Sequence, residues 1–480
     1  MGGSMATSFS FIFFCYLVFP FLLSSDLAYA YEERGIAGSI NLNYTHIVRT
    51  SSLLPSNVCR HSTRGHTNGR HLKVVNRHGP CSHLDQQKIQ VPNLTQILIQ
   101  DRLRVNWIHS RLAVNLGHES FQTSATTLPA KSGRPIGTGN YVVIVGLGTP
   151  KEDLTLVFDT GSDLSWTQCK PCVGHCYDQQ EPIFDPSSSS SYSNVSCFSA
   201  QCSQNIKIGC TSSTCVYGVR YGDQSETQGF LAKERLTLTS SDALDGFLFG
   251  CGQYNDGLFG RTAGLLGLGR APESIVSQAA QKYGRFFSYC LPTLSGSTGF
   301  LSFGSSGGNS NSLKFTNLGQ NADHPSFYYI DIVDISVGGQ NLNLPPSLFS
   351  SQGSIIDSGT VITRLPKTAY AALRSAFQQQ MSNYPTTSPP PQLFDTCYDL
   401  SGYSTVSIPK ITFLFGNNVN MDIVAEGILR VVSATQFCLA FAGNSDDNQI
   451  AIFGNYQQQK YEVVYDVAGG RLGFGAGACD

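Results

Sequence analysis

Residues 153–166 read DLTLVFDTGSDLSW, and residues 353–366 read GSIIDSGTVITRLP. In both, a short apolar run ends on Asp and is followed by a hydroxyl residue, Gly and a second hydroxyl residue; Asp159 and Asp357 stand 198 positions apart. An aspartate at the end of a buried β-run is costly unless nearby backbone and hydroxyl donors bond its carboxylate. Thr160 and Ser162 supply such donors in the first copy, Ser358 and Thr360 in the second, and Gly161 and Gly359 complete the turns. A single copy would read first as a structural Asx-type turn. Two copies point instead to duplicated lobes that bring two carboxylic acids together.

The surroundings repeat as well. Tyr141 opens a hairpin 18 residues before Asp159, and AGLLGLG brings Gly267 108 residues after it; Tyr329 opens a hairpin 28 residues before Asp357, and AIFGNY brings Gly454 97 residues after it. From Tyr141 onward, β-branched and aromatic runs closed by glycine turns recur, as in ERLTLTS, DGFLFGCG, FTNLG, ITFLFG and KYEVVYDVAGGRLGFG. These predict a mostly β body. Within this body, helices are expected only over Glu273–Tyr283 and Lys367–Met381. GLLGLG has the order G-x-x-G-x-G and no acidic strand end at the useful distance, which argues against a dinucleotide site.

The 480 residues exceed one small domain and fit two packed units plus additional sequence. Phe9 to Leu23 form a 15-residue apolar run, short for a spanning helix, with Ala28-Tyr29-Ala30 as a cleavage point, so residues 1–30 read as a signal peptide. The hydroxyl-rich start also admits a plastid transit peptide, although arginine is lacking there. Residues 1–126 hold 11 Lys and Arg against 6 acids, a balance of +5, and residues 127–480 hold 20 against 27, a balance of −7. Eight of the ten histidines precede residue 127. A basic, histidine-rich forepart over 31–126 thus precedes an acidic body. Lying over an acidic cleft, it would be held at neutral pH and loosened by acid; the alternative is a solvated basic linker.

Within the forepart, residues 31–90 are polar and without periodicity. Residues 94–116 read as an amphipathic helix, with Leu98, Leu103, Val105, Ile108 and Leu112 near one side and arginines interleaved. The Pro- and Gly-rich stretch after it places the boundary between forepart and body within 120–139. The body divides into an N-terminal lobe, 127–315, and a C-terminal lobe, 316–480.

Two like charges brought together cannot both be held cheaply, so such a pair shares one proton and titrates in two separated steps. The ionised carboxylate can then take a proton from a water held between them, while the protonated one serves the substrate carbonyl oxygen. No cofactor or metal is needed, and an acidic optimum is expected.

These features, with the tyrosine of YGDQSETQG, resemble the pepsin-like aspartic proteases, and the cysteine-rich insertion is similar to the plant nepenthesin and chloroplast-nucleoid-protease branch. The resemblance covers about Thr138 to Asp480. It implies an all-β, bilobal fold with two pseudo-symmetric lobes and a few short helices. It also implies an endopeptidase made as a zymogen, likewise monomeric, whose own forepart is an intramolecular inhibitor and whose substrate is an extended polypeptide. Asp159 and Asp357 match the catalytic pair, Thr160 and Ser358 the hydroxyls that brace the two loops, and Ser162 and Thr360 the outer hydroxyls on the carboxylates. Tyr221 matches the flap tyrosine, Trp166 its indole partner, and Gly222 and Asp223 the flap tip. The family commonly has glycine after the flap aspartate, where this chain has Gln224.

Without Cys15, Cys59 and Cys81, the body holds 12 cysteines, and parity cannot choose their pairing. The resemblance implies Cys169–Cys172, Cys176–Cys251, Cys197–Cys215, Cys202–Cys210, Cys290–Cys479 and Cys397–Cys438. The cluster CKPCVGHC has zinc-like density, but an oxidising compartment and no clean second C-x-x-C pair favour disulfides over a metal. Asn43, Asn93 and Asn194 begin glycosylation acceptors. Together these imply a secreted protein of the extracellular space or apoplast, with vacuole and plastid as alternatives and no membrane association after signal removal. Two other functions compete. One is a DNA-associated protease using the basic stretch before residue 80, against which stand an acidic body and no aromatic platform. The other is a catalytically silent binding or inhibitor relative, which usually carries a damaged acid turn; both turns here are whole.

Overall fold

The computed structural model describes residues 1–2, 44–60, 71–84, 94–113, 141–202, 206–221, 224–257, 259–294, 296–304, 313–390 and 394–479. The signal segment, the 120–139 boundary, Asn43, Asn93, Gly222 and Asp223 lie outside them. Residues 41–480 form one compact unit.

Each lobe builds its acid turn in the same way. The strand Glu152–Asp159 pairs antiparallel with Tyr141–Leu147 and parallel with Gly264–Gly267, which sets Gly267 opposite Asp159. In the C-terminal lobe, Ser354–Ile356 pairs antiparallel with Tyr328–Ile330 and parallel with Ala451–Phe453, setting Ile356 opposite Phe453. The two acid strands are covered on both faces and rich in apolar residues, and all but the first two residues of Glu152–Asp159 are buried. The flap-bearing strand Glu226–Thr239 instead alternates buried and half-buried positions, as a strand with one wet face does.

A shared sheet joins the lobes. Phe286–Cys290 lies between Gly299–Phe303 and Tyr461–Asp466, and the latter pairs with Arg471–Ala476. Its core is aromatic: Phe287 stacks on Tyr465 at 4.4 Å, and the Tyr289 and Tyr465 hydroxyls share a hydrogen bond of 2.9 Å.

The forepart is part of this architecture, contrary to the expectation of a featureless stretch over 31–90. Its strand His71–Asn76 pairs with Gly299–Phe303 and reaches Tyr141–Leu147, so it extends the shared sheet. Leu72, Val74 and Val75 are buried there, each a contribution of about 1.5–3 kcal/mol. A second strand, Thr45–Arg49, pairs with Thr405–Pro409. Both strands are short and neither alternates strictly between polar and apolar residues, so a periodicity reading misses them.

The expected helices form as Leu94–Ala113 and Lys367–Gln380, while Glu273–Tyr283 breaks into Ile275–Gln278 and Ala280–Tyr283. The disulfides differ from the implied set. The pairs are Cys169–Cys251, Cys172–Cys176, Cys197–Cys210 and Cys202–Cys215, with Cys290–Cys479 and Cys397–Cys438 as implied and Cys59–Cys81 inside the forepart. The correction has a topological cause. Trp166–Gln168 runs parallel to the strand that carries Cys251, bringing the Cα atoms of Cys169 and Cys251 to 5.3 Å. Cys172 then closes a local loop with Cys176. In the insertion, Cys210 and Cys215 face each other across a hairpin, and each takes a partner 13 residues away in the preceding loop.

Candidate active site

Asp159 and Asp357 meet at the centre of the molecule, both essentially without solvent exposure. Each is held by its own turn. The Gly161 N–H donates to Asp159 Oδ1 at 2.9 Å and Ser162 Oγ to Oδ2 at 2.5 Å; the Gly359 N–H donates to Asp357 Oδ1 at 3.0 Å and Thr360 Oγ1 to Oδ2 at 2.5 Å. The turns also hold each other. The Thr160 N–H donates to Ser358 Oγ at 3.1 Å, and the Ser358 N–H to Thr160 Oγ1 at 2.9 Å. Behind them, Leu268 donates to the Asp159 carbonyl and Asn455 Nδ2 to the Ser358 carbonyl. Glycine is required at both turn centres: a Cβ on Gly161 would lie 2.9 Å from Asp357 Oδ1, and one on Gly359 would overlap Asp159 Oδ1.

The flap is a hairpin between Thr214–Arg220 and Glu226–Thr239, with Arg220 opposite Glu226. Trp166 Nε1 donates to the Tyr221 hydroxyl at 2.7 Å, and both rings pack edge-on against Phe259. Gln224, where the resembling family has glycine, takes a φ of 70°, so a left-handed turn conformation is imposed on a residue with a Cβ.

The side chain between the two acids is one the sequence reading did not single out. Arg104, on the forepart helix Leu94–Ala113, donates from Nε to Asp357 Oδ2 at 3.0 Å and from one terminal nitrogen to Asp159 Oδ2 at 3.0 Å. Its other terminal nitrogen donates to Asp159 Oδ1 at 2.8 Å and to Asp357 Oδ1 at 2.9 Å. The available signal was an arginine inside an apolar helical stripe. One turn before it, Asp101 is fully buried against the second acid loop. It accepts from the Val361 N–H at 2.6 Å and pairs with Arg364 at 2.6 Å.

The electrostatics split the acids. Burial pushes the Asp159 carboxyl up, but the charge and hydrogen bonds of Arg104, with those of Ser162 and Gly161, outweigh it and hold the carboxyl below its ordinary value. For Asp357, burial and the neighbouring Asp159 charge outweigh Arg104 and raise it. The Arg104 guanidinium is raised, because the two carboxylates outweigh its own burial.

Two braced acid turns in duplicated β lobes, a tyrosine-tipped flap and a closely fitted glycine at each turn define a pepsin-like aspartic protease fold. Comparison with known proteins agrees. The xylanase inhibitor N-terminal family model matches residues 141–305, and the xylanase inhibitor C-terminal model matches 327–476. The chain is 55% identical to the Aspartyl protease family protein At5g10770 of Arabidopsis thaliana, over 91% of this chain and 93% of that one. It is 50% identical to Aspartyl protease AED1 of the same plant, over 93% and 94%. Against aspartic proteinase nepenthesin-2 of Nepenthes gracilis it is 38% identical, over 74% and 82%. The chain belongs to the plant aspartyl protease family, within the pepsin-like class. The crystal structure of basic 7S globulin from soybean shares the fold, with a TM-score of 0.58 at 22% identity over 71% of this chain and 94% of that one.

Proposed function

We propose that the chain is an aspartic endopeptidase, made as an inactive precursor and active at acidic pH. The observation that carries this reading is the meeting of Asp159 and Asp357, each with its own hydroxyl and glycine N–H, on braced turns. With the forepart removed, the position of the Arg104 guanidinium is open to a water molecule. Asp159, as the ionised carboxylate, takes a proton from that water, and the water oxygen attacks the peptide carbonyl carbon. Asp357 gives its proton to the carbonyl oxygen, so the tetrahedral intermediate forms without a free oxyanion. Asp159 then passes its proton to the leaving nitrogen as the C–N bond breaks, and Asp357 recovers the proton from the intermediate's hydroxyl. The Tyr221 hairpin closes over the peptide and excludes bulk water.

In the precursor, Arg104 occupies the water's place and Asp101 anchors its helix, so the forepart is its own chain's inhibitor. The forepart spans 31–126 after a signal segment, with the maturing cut in 120–139. The two lobes of the mature enzyme are residues 127–315 and 316–480. Secretion to the apoplast fits the seven disulfides among the described residues. Asn194 is exposed, as a glycan carrier must be. Among the described residues no helix is long and apolar enough to cross a membrane.

A second reading, a silent protein-binding relative, is favoured by the description of the family models as xylanase inhibitor domains. One experiment separates the two. Processed wild type and Asp159→Asn are assayed on a denatured protein from pH 3 to 7, with and without a statine-type inhibitor. Wild type is expected to cleave best in acid and to be blocked by the inhibitor, and the variant to lose about 10²–10⁴-fold. Equal activity in the two would reject the chemistry, and no activity in either would favour the binding protein.

A further inference from the structure

The Asp101 contact occupies a pocket that belongs to the body. Its carboxylate accepts from the Val361 N–H at 2.6 Å, the Ile362 N–H at 3.4 Å and the Arg364 guanidinium at 2.6 Å. Arg364 is nine-tenths buried on the strand Thr363–Leu365, and its Nε is buried without a hydrogen-bond partner among the described residues. Three donors, one of them charged, therefore converge on a single acceptor supplied by the forepart. When the helix leaves, they face the cleft with that acceptor gone. A bound peptide would cover the guanidinium again, and a covered guanidinium without a partner is costly, so the site favours a ligand that restores a carboxylate.

The rest of the pocket suits a side chain. Ile97 and Leu98 of the departing helix pack on Val361, Ile362, Phe394 and Tyr456, which remain as an apolar wall. The groups that stay around Arg364 include further cations and two acids, Asp395 and Asp446, the latter felt by His109. Arg430 lies 4.8 Å over the Tyr456 ring, and Tyr456 feels both Arg430 and the Asp101 carboxylate. Tyr370 also faces Arg364, and Asp395, which accepts from Tyr370, is engaged by Arg374 at 2.7 Å. Arg102 and His109, which also feel Arg364, depart with the forepart.

The position along the cleft follows from helix geometry. Asp101 precedes Arg104 by three residues, a separation of about 4.5 Å along the axis. An extended peptide advances about 3.3 Å per residue, so the pocket lies one to two residues from the scissile bond.

We propose that in the mature enzyme Arg364, with the N–H groups of Val361 and Ile362, forms a subsite that selects an acidic side chain of the substrate one to two residues from the cleaved bond. This rests on the endopeptidase reading above, with Asp101 as the built-in mimic of that side chain.

The test uses processed wild type, Arg364→Gln and Arg364→Lys. The substrates are end-blocked peptides sharing one scissile bond and carrying Glu, Gln or Leu at each of three positions on either side. At one position kcat/KM for Glu is expected to exceed that for Gln by at least about tenfold in wild type. That ratio should collapse to near one in Arg364→Gln and be partly restored in Arg364→Lys. A wild type that cleaves the set with a Glu/Gln ratio near one everywhere overturns the proposal, as does a ratio unchanged by Arg364→Gln. If Arg364→Gln does not fold, the wild-type ratio and Arg364→Lys decide. Failure of the endopeptidase reading looks different: wild type then cleaves neither the peptides nor denatured protein, and Asp159→Asn behaves the same.

Discussion

Arg104 makes four hydrogen bonds to two carboxylates that would otherwise be a buried pair of like charges. Removing one partner of such an arrangement is far more damaging than the arrangement is stabilising, because the charges left behind stay buried. Arg104→Met should therefore weaken docking of the forepart by about 3–5 kcal/mol at neutral pH. Full-length Arg104→Met is expected to bind a statine-type inhibitor at pH 7 where full-length wild type does not, as measured by calorimetry; equal exclusion by the two proteins would show that Arg104 is not the block. Arg104 acts to lower both carboxyls, so both acids support the docked state while ionised and withdraw that support as falling pH protonates them. Both acids were legible in the sequence because the turn that holds each is local: the donors to Asp159 lie two and three residues away, as do those to Asp357. Arg104 was not, since its partners lie 55 and 253 residues away.

The helix Leu94–Ala113 carries a further pH-sensitive group of the docked state, in addition to the partly buried forepart histidines His46, His71 and His78. His109 Nε2 lies 3.1 Å from the Ile450 carbonyl, and burial, only partly offset by that bond, lowers the imidazole to about 4. A base depressed on docking leaves the docked state proton-poor. Its penalty therefore begins as pH falls below the ordinary 6.5 and levels off below about 4, reaching roughly 3 kcal/mol. His109→Gln keeps a donor for the carbonyl but cannot titrate, so release of the helix should need a lower pH. The chain has two tryptophans, and Trp107 sits on this helix with Arg111 5.1 Å from its ring centroid, so a fluorescence titration reports undocking directly. Identical midpoints for wild type and His109→Gln would remove His109 from the switch. The helix itself was readable from its apolar stripe, with Ile97, Leu98, Val105 and Ile108 buried. The disulfides of the first lobe were not, because pairing depends on which strands run side by side: Cys169 meets Cys251 only through the parallel register of Thr167 with Cys251.

At the scale of the whole molecule, the forepart is held by three contacts of different kind. Arg104 and Asp101 form ion pairs with the body, the helix packs its apolar face on the C-terminal lobe, and His71–Asn76 is a strand of the sheet that joins the lobes. Duplication made the two lobes readable from spacing, but nothing local marks a six-residue segment of the forepart as a strand of the body's sheet. Main-chain pairing with buried Leu72, Val74 and Val75 does not depend on a covalent link to the body. Cutting the chain between forepart and body is therefore not the same as releasing the forepart. With a specific protease site placed at residue 125 and cleaved at pH 7.5, the two pieces are expected to co-elute in gel filtration and the enzyme to stay silent. Lowering the pH toward 4 should separate them and start cleavage of a denatured substrate. Separation and full activity at pH 7.5 immediately after the cut would show that the strand and the ion pairs hold nothing once the connection is lost, and acid would then have no part in activation.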